Sequence, residues 1–345
     1  MERESRPRPS NLQNLSRRSR RSPLLLLSYI STLPQVRLTT NQGSMHNFKL
    51  ATLSIAFLLA GVASVTAQNQ SVAMAPMHFR GLMPVVEVRL NGQGPFAFAI
   101  DTGAGLQADI DPSVATRLNL EPIGKIRIGD PTQQNDQTLE ATKIARMELG
   151  GAEFRDVTAI IRSQRITDDY PAIDGILGFA LFTDCLLTLD YPAMQVRIAR
   201  GSLPRANGAD ILNFEIENKI PVIELAVGRL RLKAHIDSGN FVAGFYPAGG
   251  AGRTAPAAVA PVTVGRARSV SNLMEMKQTQ LQDTIHIGTF EYPQATIAFP
   301  APSDTNVGFK ILREFALTFD QKTDELNLSE RLPMPPGETT NVVAI

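Results

Sequence analysis

Phe96-Ala97-Phe98-Ala99-Ile100-Asp101-Thr102-Gly103 ends an alternating apolar run on an acidic turn, and Lys233-Ala234-His235-Ile236-Asp237-Ser238-Gly239 does so again later in the chain. A single turn of this kind is common. Two in matching places point to a site that shares two carboxylates. The surroundings match as well. Pro84-Val85-Val86-Glu87-Val88 answers to Pro221-Val222-Ile223-Glu224-Leu225, and Gly92 and Gly228 each lie nine residues before the aspartate. Glu148-Leu149-Gly150-Gly151-Ala152-Glu153-Phe154 parallels His286-Ile287-Gly288-Thr289-Phe290-Glu291-Tyr292. Gly178-Phe179-Ala180-Leu181, with Leu187-Thr188-Leu189-Asp190 after it, parallels Gly308-Phe309-Lys310-Ile311 with Leu317-Thr318-Phe319-Asp320. Landmarks in one order at a nearly constant offset mark a tandem duplication.

Between the landmarks, apolar residues recur at every second position. Val86, Val88 and Leu90 alternate with Glu87 and Arg89, and Phe96, Phe98 and Ile100 repeat the pattern. Ile126 with Ile128, and Ile223 with Leu225 and Val227, follow suit. Period two sends successive side chains to opposite sheet faces, so the expected fold class is all-β. Asn91-Gly92 predicts a tight hairpin turn. A helix is expected over residues 112–118, where Asp111 can cap and Pro112 can open the first turn. Short helices are also expected over 179–183 and 309–314, while the Ala-, Gly- and Pro-rich stretch 248–261 reads as a loop.

The chain has 345 residues and a formal net charge of +1. That balance hides a split: residues 1–44 hold eight Arg and two Glu, while residues 50–345 hold 25 basic and 31 acidic residues. A mildly acidic body argues against a nucleic-acid partner, because phosphate binding relies on clustered Lys and Arg. Cys185 stands alone and cannot form an internal disulfide or a multi-cysteine metal site. Residues 45–67 have the layout of a secretory signal peptide, a basic start through Lys49, an apolar run over 50–61 and small residues at Val65-Thr66-Ala67. The apolar run is too short for a membrane span, which needs roughly twenty residues. Residues 1–44 read as a disordered Arg- and Ser-rich leader, or as an extension ahead of a true start at Met45. The remaining organisation is one lobe over 68–204, a second over 205–331 and a tail over 332–345, with the division in the Gly- and Pro-rich stretch 201–208.

The chemistry of the two turns follows from their residue types. Glycine after the aspartate lets the backbone turn sharply and approach a carboxylate closely. The hydroxyl of Thr102 or Ser238 can bond to the opposing turn. Turns brought face to face set two carboxylates about 3 Å apart, where both cannot ionise and one proton is shared. A water between them can lose a proton to one carboxylate while the other protonates a carbonyl oxygen. Asp174, Asp190 and Asp320 read as turn carboxylates, and His235 as a packed strand residue. Gly92-Gln93-Gly94 leads into another strand rather than a helix, so it is a hairpin and not a dinucleotide fingerprint. The sequence has no Gly-x-Ser-x-Gly elbow, no His-Glu-x-x-His and no phosphate loop.

Ile100-Asp101-Thr102-Gly103-Ala104, Asp174-Gly175-Ile176-Leu177-Gly178 and Leu187-Thr188-Leu189-Asp190-Tyr191 together resemble one unit of the retropepsin-like aspartic peptidase family. The resemblance is strong over residues 84–199 and weaker over 221–328. It implies two tandem retropepsin-like (acid protease) β-barrel lobes with an active-site cleft between them, related as in the pepsin group. It further implies an aspartic endopeptidase with Asp101 and Asp237 as the catalytic dyad. Thr102 and Ser238 would lock the loops, Gly103 and Gly239 would form the turns, and Ile176-Leu177-Gly178 would brace the first turn from behind. A hairpin over 129–137 takes the place of the flap. Neither cofactor nor metal is expected, and the expected partner is a peptide or unfolded protein met by an exported monomer, periplasmic or secreted. This chain departs from the family pattern in placing Asn240 after the second turn, Asn306-Val307-Gly308 at the second brace and His235 where the first half has Ala99. No Tyr occurs between residues 122 and 147, where pepsins carry one on the flap. Two other readings stand beside the monomeric hydrolase: a non-catalytic peptide- or protein-binding module on the same fold, and a dimer in which first lobes pair and Asp237 is idle.

Overall fold

The computed structural model describes residues 72–80, 83–129, 136–164, 172–240, 245–246, 260–268, 273–299 and 305–330. The leader and signal segment (1–67), the tail (332–345), the tip of the 129–137 hairpin and most of the 248–261 stretch lie outside them. Within the described residues the chain is mostly β-strand, as the period-two pattern requires. No helix among them is long and apolar enough to cross a membrane.

The first half begins with β1 (Ala73–Pro76) and β2 (His78–Arg80). Then β3 (Met83–Leu90) and β4 (Gln93–Asp101) pair around Asn91 and Gly92, whose φ values of 49° and 79° are the positive pair such a turn demands. After β5 (Ala108–Ile110) comes α1 (Pro112–Arg117), capped as expected: the Asp111 carboxylate accepts from the Ser113 amide at 3.0 Å. Next are β6 (Pro122–Ile128), β7 (Gln137–Leu149), β8 (Ala152–Ile161) and β9 (Gly175–Gly178). The order β3-β4-β9-β5-β8-β7 closes on itself, because Arg89 and Leu90 pair with Glu148 and Met147. Closure leaves no strand of that ring with an open edge. Phe98, Ile100, Ile144 and Leu177 fill its interior, each buried. Full burial of such side chains contributes roughly 1.5–3 kcal/mol apiece. By contrast, β6 pairs only with β7 and is exposed almost throughout, so the alternation at Ile126 and Ile128 marks a hairpin arm rather than a core-facing strand.

A short 3-10 turn over Phe179–Phe182 leads to β10 (Leu186–Asp190) and β11 (Gln195–Ala199). The second half supplies β12 (Ile211–Asn213), β13 (Glu215–Glu217), β14 (Ile220–Val227), β15 (Leu230–Ile236), β16 (Phe245–Tyr246) and β17 (Val262–Arg268). It continues with β18 (Leu273–Gln280), β19 (Ile285–Ile287), β20 (Phe290–Tyr292), β21 (Thr296–Phe299) and β22 (Asn306–Val307). Helix α2 (Phe309–Leu312), β23 (Phe315–Asp320) and β24 (Glu325–Glu330) end it. Both helices expected after the glycines are thus shorter than their sequence suggests, because each chain re-enters a strand within three or four residues.

The pairing scheme of the first half recurs in the second. Strands β14 and β15 repeat the β3–β4 hairpin, β15 runs parallel to β22 as β4 does to β9, and β16 lies between β21 and β22 as β5 lies between β8 and β9. One difference is local: the continuous β7 is replaced by β18 and β19, interrupted at 281–284. A third sheet joins the halves in the order β1-β11-β10-β23-β24-β12. This order reads the same from either end once each strand is matched to its repeat. At its centre Thr188 faces Thr318, and their hydroxyls meet at 2.9 Å. Leu187, Leu189, Leu317 and Phe319 carry a single core from one half to the other. Asp190 and Asp320 close the turns beside it, accepting from Ala193 N at 3.0 Å and from Lys322 N at 3.0 Å.

Gly178 ties this framework to the first acidic turn. A Cβ there would stand 2.1 Å from the Leu106 carbonyl oxygen and 2.7 Å from that of Ala104. Gly178→Val should therefore destabilise the fold by about 1–3 kcal/mol, the usual cost of overpacking. Urea unfolding midpoints measure it, and an unchanged midpoint would show that the 104–106 loop yields freely.

Candidate active site

Strand β4 ends in Asp101, and Asp237 directly follows β15, so each aspartate comes just after a buried isoleucine, Ile100 or Ile236, at the end of its strand. The turns after them are locked together by exchange. Thr102 N donates to Ser238 Oγ at 2.9 Å, and Thr102 Oγ1 donates to Ile236 O at 2.6 Å. Reciprocally, Ser238 N donates to Thr102 Oγ1 at 3.0 Å, and Ser238 Oγ donates to Ile100 O at 2.8 Å. Both residues are wholly buried. A buried donor or acceptor left unpaired costs about 1–3 kcal/mol, so each hydroxyl holds the opposing loop firmly.

The glycines next in line explain the close approach. A Cβ on Gly103 would fall 2.4 Å from Asp237 Cγ, and one on Gly239 would fall 2.4 Å from Asp101 Cγ. No side chain fits at either place. The two carboxyl groups thereby come within hydrogen-bonding reach of each other, and both residues keep part of their surface open to solvent. Burial of its carboxyl, then the charge and hydrogen bond of Asp237, push Asp101 well above the ordinary carboxylate range. The Gly103 amide, at 2.9 Å, and the Arg162 charge act in the opposite direction. This is the behaviour of two acids that share one proton.

Behind each turn the brace works in both halves. Phe179 N donates to Ala104 O at 2.9 Å, and Phe309 N donates to Asn240 O at 2.8 Å. Asp174 is more than a turn residue: its carboxylate accepts from Ala97 N at 2.7 Å, while its amide donates to Ala97 O at 2.7 Å. It stitches β4 to the entry of β9. Tyr191 lies buried against Phe79 and Phe309, and burial, then the Asp237 charge, keep its hydroxyl protonated.

The two sides of the site differ. Ala99, two residues before Asp101 and on the same strand face, joins Met83, Val85, Ala97, Ile173 and Ile176 in a small apolar cluster. The corresponding strand face near Asp237 carries His235, half-buried, whose amide donates to Thr305 O at 2.8 Å. The position of Ile176 is taken by Asn306, since β9 pairs Ile176 with Ala99 and β22 pairs Asn306 with His235. Asn306 Nδ2 donates to Asp237 Oδ2 at 2.5 Å and Asn306 Oδ1 accepts from Asn240 Nδ2 at 2.7 Å. Asp237 Oδ1 also accepts from the Gly239 and Asn240 amides at 2.9 and 3.0 Å.

Sequence reasoning placed Asp101, Thr102, Gly103, Asp237, Ser238 and Gly239, and the fold brings all six together. It passed over Asp109, Arg162 and Gln164. Asp109 is fully buried, takes the Arg162 Nε at 2.8 Å and the Gln164 Nε2 at 2.7 Å, and is pushed up to about 6 by burial against the opposing pull of Arg162. An acid inside the apolar strand Ala108-Asp109-Ile110 is the signal that a partner must exist. Which partner, more than fifty residues away, no spacing shows.

Residues 86–181 match a family model described as aspartyl protease. No curated protein matches the chain. The match begins inside β3 and runs past β9, taking in Asp101-Thr102-Gly103 and the Gly175–Gly178 brace. Over this segment the chain is similar to an aspartyl-protease domain of the retropepsin-like kind. Peptidase chemistry in general has that support.

Two measurements follow from the geometry. Thr102→Val and Ser238→Ala should each destabilise the chain by about 1–3 kcal/mol, and the double variant by less than their sum, because losing either hydroxyl already loosens the opposing turn. Denaturant unfolding of the four proteins tests it, and full additivity would show that the hydroxyls act independently. The second concerns acidity. Asp101 and Asp109 bind protons more tightly folded than unfolded, so their contribution is complete below the ordinary carboxylate range. For Asp109 it is lost as pH rises through about 6. Thermal unfolding midpoints should rise from neutral pH toward pH about 4.5 through these two groups. Asp109→Asn should flatten part of that slope, and an identical slope in the variant would refute the assignment.

Proposed function

We propose that this chain is an exported, single-chain aspartic endopeptidase in which Asp101 and Asp237 hydrolyse peptide bonds by activating a water between them. The observation that carries the reading is the contact of the two carboxyl groups across turns locked by Thr102 and Ser238. One member of such a pair holds a proton and the other is ionised, so acid and base stand ready on either side of a bound water. The ionised carboxylate takes a proton from the water as its oxygen bonds to the peptide carbon. The protonated partner delivers its proton to the carbonyl oxygen. The gem-diol intermediate then collapses with cleavage of the C–N bond: the carboxyl that took the water's proton gives it to the leaving nitrogen, the other carboxylate takes a hydroxyl proton from the intermediate, and the pair returns to its starting protonation. No atom of the protein becomes covalently attached to substrate.

The surroundings favour an extended peptide. The exposed arm β6 lies at the edge of its sheet, where a peptide backbone can add as a further strand. Both turns come from one chain, which supports action as a monomer. Residues 45–67, with their basic start, short apolar run and small residues, support export to a periplasmic or extracellular space.

Asp101→Asn and Asp237→Asn should each lower cleavage of an unfolded protein substrate by on the order of 10²–10⁴-fold or more, with activity in wild type confined to acid or mildly acid solution. Mass spectrometry of the products provides the readout. Undiminished cleavage by Asp237→Asn would eliminate the intrachain dyad. Peptide binding without turnover from acid to mildly alkaline pH would instead identify a binding module.

A further inference from the structure

Asp101 and Asp237 are held by related turns, yet the donors around them are unequal. Among the described residues, the Asp101 carboxylate receives one backbone amide, from Gly103 at 2.9 Å. Asp237 receives three donors: the Gly239 and Asn240 amides on Oδ1, and the Asn306 side-chain amide on Oδ2 at 2.5 Å. The residues standing at the matching places in the first half are Ala104 and Ile176, and neither side chain can donate a hydrogen bond.

The amide pair is polarised in one direction. Asn306 turns Nδ2 toward Asp237 Oδ2 and Oδ1 toward Asn240, an arrangement that suits an ionised carboxylate, which only accepts. Asn306 Oδ1 accepts Asn240 Nδ2 at 2.7 Å and fixes the second amide in turn. Both asparagines are buried, at 8 % and 9 % exposure, so water does not compete for these bonds. Donors that point at a carboxylate favour its charged form, and a charged partner makes them stronger still.

We propose that Asn306, oriented by Asn240, is a positioning residue that keeps Asp237 ionised and assigns the shared proton to Asp101. This deepens the hydrolytic reading of the site and rests on it: Asp237 becomes the base that takes the proton of water, and Asp101 the acid that protonates the carbonyl oxygen. Burial and the Asp237 charge both raise the proton affinity of Asp101, in keeping with that division. Other groups act on the pair without reversing it. Arg162 reaches Asp101 from the end of β8 and opposes the effect there, Tyr191 stays neutral, and His235 lies two residues before Asp237 on β15.

Carboxyl-carbon NMR titration of aspartate-labelled protein tests the assignment, with the two signals identified through Asp101→Asn and Asp237→Asn. In wild type, Asp237 should ionise first as pH rises and Asp101 last. Asn306→Ile, which installs the first-half counterpart, should raise the Asp237 titration by about one pH unit or more, the scale of a lost bond to a charged group. The acid limb of the kcat/KM profile should move upward equally, with KM little changed, and Asn306→Ser, which keeps a donor, should fall between. Should Asn306→Ile not fold, the order of ionisation in wild type still decides. Asp101 ionising first, or an Asp237 titration indifferent to Asn306→Ile, overturns the proposal. Absence of peptide cleavage with the expected order of ionisation would instead overturn the hydrolytic reading and leave the proton assignment standing.

Discussion

Everything at this site depends on four hydrogen bonds between two buried hydroxyls and the opposing backbone. Thr102 and Ser238 each fill a donor and an acceptor role toward the other turn, with no water to replace them. Two carboxylates repel, and the halves that carry them would separate unless something stronger held the turns at contact distance. Neutral hydroxyls supply that hold without adding charge. They also set the position of the carboxyls, since Gly103 and Gly239 are pressed against the opposite acid and leave no room for adjustment. Stability and chemistry are thus coupled through the same few atoms.

Much of the fold was legible because strand periodicity and repetition are local or self-referential signals. The Asn91-Gly92 hairpin, the Asp111 cap and the run from Phe96 to Asp101 each announce themselves within a dozen residues. The duplication at Gly178 and Gly308 needs only comparison of the chain with itself. Contacts that depend on how the sheets curl were not legible in the same way. Asn306 stood out as a polar residue in a bracing segment, but its bond to Asp237 spans 69 residues and arises from the parallel pairing of β15 and β22. Ile126 illustrates the converse error, in which alternation was present and no second layer existed to bury it. Asp109 and Arg162 were missed because their pairing follows from the parallel register of β5 and β8, which sets residues more than fifty positions apart side by side.

The comparison of the halves separates what the architecture demands from what it tolerates. Strand order, the grip and the turn glycines are held in common. The side chains beside each aspartate are not, with Ala99 and Ile176 on one flank and His235 and Asn306 on the other. An apolar flank near Asp101 and an amide-rich flank near Asp237 make the two acids chemically different despite equivalent backbones. Such inequality suits a reaction in which one group must give a proton while its neighbour takes one.

The central sheet, with Thr188 meeting Thr318 at its midpoint, has a further consequence. An assembly of two identical chains would receive every substitution on both sides at once, so a gain at one acid would be imposed on the other. Here the two copies are one covalent chain and are encoded separately. Each can drift alone while the sheet between them keeps its register. Division of labour between twin acids is thereby open to a fused molecule and closed to a symmetric pair.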